Sequence, residues 1–119
     1  MIRGRERGAV AVHAASIGIV LLIVALVVMQ AANLVRVRHR VGAAADLAAL
    51  AASRASASGG DGCREARAIA LRNGARIVRC RMDYDVATVT ARARSEPWWG
   101  SSWAAEQSAR AAPESYLDD

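Results

Sequence analysis

The stretch IGIVLLIVALVVMQ at residues 17–30 is the centre of a longer segment, Ala9 to Val35, that carries no formal charge. Ten of the thirteen residues from Ile17 to Met29 are isoleucine, leucine or valine. A helix over Ala9 to Val35 is roughly 40 Å long, enough to cross a hydrocarbon core of about 30 Å. A chain of 119 residues has too small a core to bury such a helix on all sides. The sequence therefore predicts a single transmembrane helix over residues 9–35.

A cleaved signal peptide is the alternative interpretation of this segment. Signal peptides also begin with a basic stretch, here Arg3, Arg5 and Arg7. Their apolar region, however, is about 7–15 residues long and ends in a small-residue cleavage site. This segment is longer and ends in RVRHR at residues 36–40. An uncleaved anchor is the favoured interpretation.

The cysteines indicate the orientation of the anchor, because the arginines on its two sides are balanced. Cys63 and Cys80 both follow the apolar segment, and a disulfide between them persists only outside the cytosol. We therefore expect residues 1–8 in the cytoplasm and the rest of the chain on the extracytoplasmic side of the cytoplasmic membrane. Two unrelated buried thiols are the alternative.

The basic composition has a simple explanation in this arrangement. The formal net charge is +5, and all sixteen basic residues are arginine. Six of them flank the apolar segment, where lipid headgroups are the nearest anions. The others are scattered in the sequence without the interleaved aromatic residues of a stacking platform. The membrane is therefore the expected partner, and nucleic acid is not.

The helix is predicted to continue beyond the membrane through residues 36–60. VGAAADLAALAASRASA at residues 41–57 is rich in alanine and leucine, which are strong helix formers. Val41, Ala45 and Ala52 recur at helical spacing, with Ala48 or Ala49 between them. SGGDG at residues 58–62 ends this helical extension, since it is polar and rich in glycine.

A small α-β-β head is predicted at residues 61–95. Asp61 is a good N-cap for a helix over REARAIALR at residues 64–72, and Asn73-Gly74 is a C-terminal stop. ARIVRCRM and VATVTARAR then alternate between polar and apolar residues, which is typical of strands with one apolar face. The fold class is therefore α+β, with a helix packed on a two-stranded hairpin.

The same topology brings the two cysteines together. Cys63 begins the head helix and Cys80 lies late in the first strand. A helix of ten residues rises about 15 Å, and six strand residues return about 20 Å. A Cys63–Cys80 disulfide is therefore expected, and it would stabilise the head by about 3 kcal/mol.

Residues 96–119 are expected to form a flexible tail, with a short helix from Ser102 to Ala112. All the tryptophans lie in this tail, at Trp98, Trp99 and Trp103. They could rest at a membrane interface, fill a groove of a partner or fold back on the hairpin, and the last of these is favoured.

No catalytic, cofactor or metal site is predicted. His13 and His39 have no cysteine, aspartate or second histidine at ligand spacing. His13 lies only six residues after Arg7, so interfacial anchoring is favoured over a buried role for it. Function is therefore expected to come from assembly.

A stripe of small residues marks one side of the apolar segment. Small residues let membrane helices approach closely, so the stripe is a candidate helix-packing surface, with a homo-oligomer as one outcome. The alternative is chance, given the high alanine content. The stripe consists of Ala11, Ala14, Gly18, Ala25 and Ala32.

Two parts of the sequence together resemble a known family. Arg7-Gly8 opens directly into the apolar segment, and AADLAALA at residues 44–51 follows the arginines beyond it. This order resembles the TadE/TadG-like proteins of Flp (tight adherence) pilus assembly. Cys63, Asn73-Gly74-Ala75 and Cys80 resemble a short actinobacterial branch, described as helicase/secretion-neighbourhood TadE-like. The positions that carry the family motif are Arg7, Gly8, Ala44, Ala45, Asp46, Leu47, Ala48, Ala49 and Leu50.

The resemblance implies a pseudopilin-like, single-pass component that assembles with other membrane proteins of a pilus or secretion apparatus. Pseudopilins of this family are cut after a glycine, and a glutamate stands five residues beyond the cut. Counted from a junction between Gly8 and Ala9, that position is His13. The departure favours a static accessory protein over a polymerising subunit. The alternative function is a signal-anchored secreted protein that binds an envelope or host target through its head or its Trp-rich tail.

Overall fold

A computed structural model of the chain describes residues 2–95 and 103–116. The chain divides into two compact units, Met1–Asn33 and Leu34–Asp119, which we call the N-terminal and C-terminal units. Helix α1 supplies every described residue of the N-terminal unit and the first part of the C-terminal unit. The elements in chain order are α1 (Ile2–Ala57), α2 (Gly62–Arg72), β1 (Arg76–Asp83), β2 (Val86–Ser95), β3 (Trp103–Ala111) and a short 3-10 helix (Glu114–Tyr116).

The N-terminal unit is helical in all its described residues. Its large apolar side chains are exposed, and those of Leu21, Leu22 and Val27 each keep more than half of their surface free. α1 is long and apolar enough to cross a membrane, by length and composition. The helix begins at Ile2, earlier than the predicted start at Ala9.

The C-terminal unit is built on the last part of α1, together with α2 and a three-stranded antiparallel sheet in the order β1-β2-β3. Its core consists almost wholly of alanine and valine, so helix and sheet backbones pack closely and each side chain buries little area. The α+β fold class is confirmed. The core residues are Val37, Val41, Ala44, Ala45, Ala48, Ala49, Ala52, Ala66, Ala70, Ala75, Ala87, Val89, Ala91 and Ala105.

Both ends of α2 follow the prediction from the sequence. Asp61 is the N-cap, and its Oδ1 accepts a hydrogen bond of 3.1 Å from the Arg64 backbone N–H. At the other end, Gly74 has a φ of +75°, a conformation that residues with a Cβ rarely adopt. Gly62 begins the helix where a Cβ would lie 2.8 Å from the Ala52 carbonyl oxygen, so α2 starts in close contact with α1.

The first strand departs from the alternation that the sequence suggests. The pairing of β1 with β2 shifts between Ile77 and Arg79, where a β-bulge leaves Val78 exposed. Ile77 therefore packs against the core, whereas a regular strand would place Val78 there with Cys80. Beyond the bulge, Cys80 pairs with Val89 and faces the core, as the alternation indicates.

The tail contains a strand that the sequence analysis missed. The predicted short helix from Ser102 to Ala112 is wrong, because Trp103–Ala111 forms β3 and pairs with β2 along its length. The sheet therefore has three strands where a two-stranded hairpin was predicted. Trp103 exposes 56% of its surface, contrary to the expected packing on the hairpin, and Trp98 and Trp99 lie outside the described residues.

The two ends of the sheet lie beside different parts of α1, one near Arg40 and the other near Ser53 and Ser56. At one end, which we call the basal end, β1 and β3 begin and β2 finishes. The turn before β1 lies beside α1 there, since a Cβ on Gly74 would be 3.5 Å from Cδ of Arg40. At the other end, Ser53 Oγ donates a hydrogen bond of 2.7 Å to the Asp85 carbonyl, and Ser56 Oγ one of 2.9 Å to Asp85 Oδ1.

Candidate assembly site

The family motif on α1 has a buried half and an exposed half. Four alanines of the motif (Ala44, Ala45, Ala48 and Ala49) are buried in the core of the C-terminal unit. Asp46, Leu47 and Leu50 are exposed, and the two leucines keep 47% and 46% of their surface free. The alanines therefore belong to the core, whereas Asp46, Leu47 and Leu50 leave their side of the helix uncovered in the C-terminal unit.

An open groove runs beside Asp46, between α1 and β3. Its volume is about 470 Å³, and its lining combines Asp46, Gln107 and the arginine-rich start of the unit. Gly42 lies at its floor, where a Cβ would be 4.0 Å from Cγ of Gln107. The groove is continuous with the exposed half of the motif. It is lined by Val35, Arg38, His39, Gly42, Ala43, Asp46 and Gln107.

The small-residue stripe lies within the N-terminal unit. Ala11, Ala14, Gly18, Ala25 and Ala32 are all exposed. A Cβ added to Gly18 would meet nothing within 4 Å. Residues seven apart fall on nearly the same side of an α-helix, with a drift of about 20° per heptad. The stripe is thus free for contact with another helix.

The proposed processing junction lies inside α1. Gly8 and Ala9 are helical and exposed, and so is His13 five residues further on. A Cβ on Gly8 would meet nothing within 4 Å. The helix begins before the junction, so a peptidase would have to act on helical backbone or unwind it first.

Cys63 and Cys80 form a disulfide, as predicted. Their Cα atoms lie 5.8 Å apart and the bridge joins α2 to β1 across 17 positions of sequence. The bridge fastens the short helix α2 to the sheet where a small alanine core supplies little area. The two elements that carry it are both in the C-terminal unit.

A cluster of arginines at the basal end was not expected from the sequence. Arg76 pairs directly with Arg92 across β1 and β2, and Arg94 follows two residues later on the same face. These three, which we call the basal arginine cluster, line a concave surface of about 590 Å³ together with Leu71 and Val78. In the sequence, the alternation in ARIVRCRM and TARAR indicated that these arginines lie on strands. The bulge and the pairing register then determine which of them are neighbours.

Metal chemistry has no obvious place in the described part of the chain. No group of three or more histidine, cysteine, aspartate or glutamate side chains gathers there.

These features define a class of protein with a helix able to cross a membrane, a small disulfide-bonded α+β unit and surfaces suited to assembly. Residues 8–59 match the family model described as Flp pilus-assembly TadE/G-like. The match includes the apolar segment and the motif, and it ends before α2. It supports a role in Flp pilus assembly. No curated protein and no solved structure matches the chain.

Proposed function

We propose that the chain is a single-pass, pseudopilin-like membrane component of Flp pilus assembly or of a related secretion apparatus. It acts by assembly with other membrane proteins of that system. The observation that carries the proposal is that one family match covers both the apolar segment and the exposed Asp46-Leu47-Leu50 half of the motif. The likeness of its cysteine region to the actinobacterial branch is consistent with this role.

The direction of insertion is part of the proposal. Residues 1–8 lie in the cytoplasm and the C-terminal unit lies outside, because the Cys63–Cys80 bridge is stable only in an oxidising compartment. A membrane-impermeant thiol reagent, added to intact cells after mild reduction, should label both cysteines. Labelling that appears only after lysis would reverse the orientation.

The exposed motif supplies the contact surface in this proposal. Leu47 and Leu50 are nearly half exposed on a helix whose other side is fully packed, and Asp46 opens into the groove beside β3. Two neighbouring exposed leucines on an otherwise packed helix indicate a place where a partner is bound. Accessory pilus proteins require such contacts with their neighbours.

Site-specific photo-cross-linking in native membranes tests the assembly role. A photoreactive residue at Leu50 should capture other proteins of the pilus or secretion apparatus, identified by mass spectrometry. The matched control is the same residue at Tyr84, which is 90% exposed in the turn between β1 and β2. Equal capture of unrelated membrane proteins from both positions would argue against an assembly surface.

The size of the mature chain separates this function from the secreted alternative. A long apolar helix near the N-terminus is a feature that signal sequences also have. Release would remove roughly the first thirty to forty residues and free the remainder into the medium. A full-length band that stays with the membrane fraction supports the anchored component, and a shortened band in the medium supports the alternative.

A further inference from the structure

We infer that the basal end of the C-terminal unit is a binding site for anionic phospholipid headgroups, formed by the basal arginine cluster and the apolar side chains beside it. The inference rests on the membrane anchoring in the proposed function, and it goes beyond that function. The headgroup phosphate is the ligand, and Arg76, Arg92 and Arg94 are the residues that would hold it.

The cluster is a concentration of like charge that the described part of the protein neutralises only in part, through Glu106. Arg76 and Arg92 are direct cross-strand partners, an arrangement that costs stability when the charges are alike. Arg92 Nε is buried without a hydrogen-bond partner among the described residues, and its nearest carboxylate oxygen, on Glu106, is 4.0 Å away. Arg76 and Arg94 have no ion-pair partner in that part of the chain. An anion between them would relieve this repulsion.

Phosphate suits these side chains better than other anions. A guanidinium presents its N–H donors in a planar fork that matches phosphate oxygens in a bidentate geometry. Three guanidiniums around one concave surface can satisfy several oxygens of a single phosphate. All three of these charged side chains are arginines. The chain contains no lysine, whose ammonium group acts as a point charge.

The position of the cluster points to a lipid as the source of the phosphate. The Gly74 turn that precedes Arg76 lies beside Arg40 of α1. Arg40 is only five residues after Val35, where the uncharged segment ends, a distance of about 7.5 Å along a helix. Lipid headgroups are therefore the anions nearest to Arg40 along the chain, and the Gly74 turn lies beside Arg40 within the C-terminal unit.

The apolar residues beside the cluster favour a membrane surface over a nucleic acid or an acidic protein. Leu71 exposes 64% of its surface next to the arginines, and Trp103, on the opposite face of the sheet, begins β3 at the same basal end. Arginine together with exposed leucine and tryptophan is the composition of surfaces that enter the headgroup region. Three arginines with adjacent apolar surface can bind the phosphate and the glycerol region of one lipid.

Arginine modification in lipid nanodiscs tests the inference on the full chain. Phenylglyoxal is uncharged and reacts with free guanidinium groups, and mass spectrometry reports the rate at each arginine. We expect Arg76, Arg92 and Arg94 to react about fivefold or more slowly when phosphatidylglycerol is added to phosphatidylcholine discs. Arg81 and Arg110 are internal controls, because both pair with Thr88 on the outer face of the same sheet, further from the basal end.

A pair of matched variants makes the test specific. Arg76→Gln with Arg94→Gln should return the modification rate of Arg92 to its value in phosphatidylcholine discs. Arg81→Gln with Arg110→Gln removes the same charge from the same sheet and should leave Arg92 protected. The variants change exposed or half-exposed side chains, so the fold is retained, and hydrogen exchange of β2 checks this.

The outcomes separate this inference from the proposed function. A chain that does not stay in the discs fails the anchoring test, whatever the arginines do. A chain that stays in the discs but shows equal rates in both lipids overturns the headgroup site, as does equal protection of Arg81 and Arg110. Protection that requires other membrane proteins would assign the cluster to an acidic protein partner and also overturns it.

Discussion

The alanines of α1 have opposite surroundings in the two units of the chain. Ala25 is exposed in the N-terminal unit, whereas Ala48 is completely buried in the C-terminal unit. The residue type and the helix are the same. The difference is that α2 and the sheet cover one set of alanines and nothing described covers the other. A small-residue stripe is thus a surface for close packing, and the rest of the sequence decides whether the partner is internal.

Removal of the disulfide should cause the largest loss of stability in the C-terminal unit and none in the N-terminal unit. Cys63→Ser and Cys80→Ser should each lower the free energy of unfolding of the C-terminal unit by about 2–4 kcal/mol, since the bridge restricts the unfolded chain. The double variant should be no worse than either single one. The N-terminal unit contains neither cysteine and should be unaffected. Hydrogen exchange at β2 amides in detergent micelles measures the loss, and strongly additive losses would count against a shared bridge.

A matched pair of alanine substitutions tests the comparison directly. Ala48→Leu adds three carbons to a site with no free surface and should destabilise the C-terminal unit by about 1–3 kcal/mol. Ala25→Leu makes the same chemical change on an exposed part of α1 and should leave that stability unchanged. Exchange at β2 amides again gives the two values. Equal losses of stability in the two variants would mean that the burial of Ala48 does not determine the stability of the core.

Two glycines of the C-terminal unit should respond with opposite signs to the same substitution. Gly62→Ala places a Cβ 2.8 Å from the Ala52 carbonyl oxygen and 2.9 Å from Met82 Sδ, so a loss of about 1–3 kcal/mol is expected. Gly42→Ala meets only Gln107 Cγ at 4.0 Å inside a helix and should stabilise by about 0.5–1 kcal/mol. Thermal unfolding followed by near-ultraviolet circular dichroism distinguishes them. A loss at both positions would show that Gly42 also has no room.

Local signals predicted much of the C-terminal unit. Three local signals each specify a conformation through residues that are close in sequence. They are the Asp61 cap, the Asn73-Gly74 stop and the alternation in VATVTARAR. The cysteine pair followed from the antiparallel return of β1 along α2. In each case the deciding interaction lies close in sequence or is fixed by the direction of one turn.

Other features depend on pairing between distant residues and were not predictable. WAAEQSARA at residues 103–111 is composed largely of helix formers, yet it forms a strand because β2 offers it an edge. The basal arginine cluster exists because the bulge before Arg79 and the register with β2 place Arg76 opposite Arg92. Neither the free edge of β2 nor the register between β1 and β2 can be predicted from the local sequence.

The exposed stripe of the N-terminal unit gives the smallest expected change in stability and the largest in association. In lipid, hydrophobicity gives helices no reason to associate, so contact depends on close packing and polar bonds. Gly18→Ile adds apolar surface and keeps the segment able to insert. It should nevertheless reduce cross-linking to membrane neighbours, while the stability of the C-terminal unit stays the same.

The control for Gly18→Ile is Ile19→Leu, an apolar exchange at the next position that should leave the cross-linked partners unchanged. Cross-linking in native membranes, with identification of the captured proteins, compares the two variants with the parent chain. A Cβ at Gly18 meets nothing within 4 Å, so any effect of the larger side chain must come from a neighbouring molecule. If both variants keep the parent pattern, the stripe reflects alanine-rich composition. The assembly contacts then lie in the C-terminal unit, where Asp46, Leu47 and Leu50 are exposed.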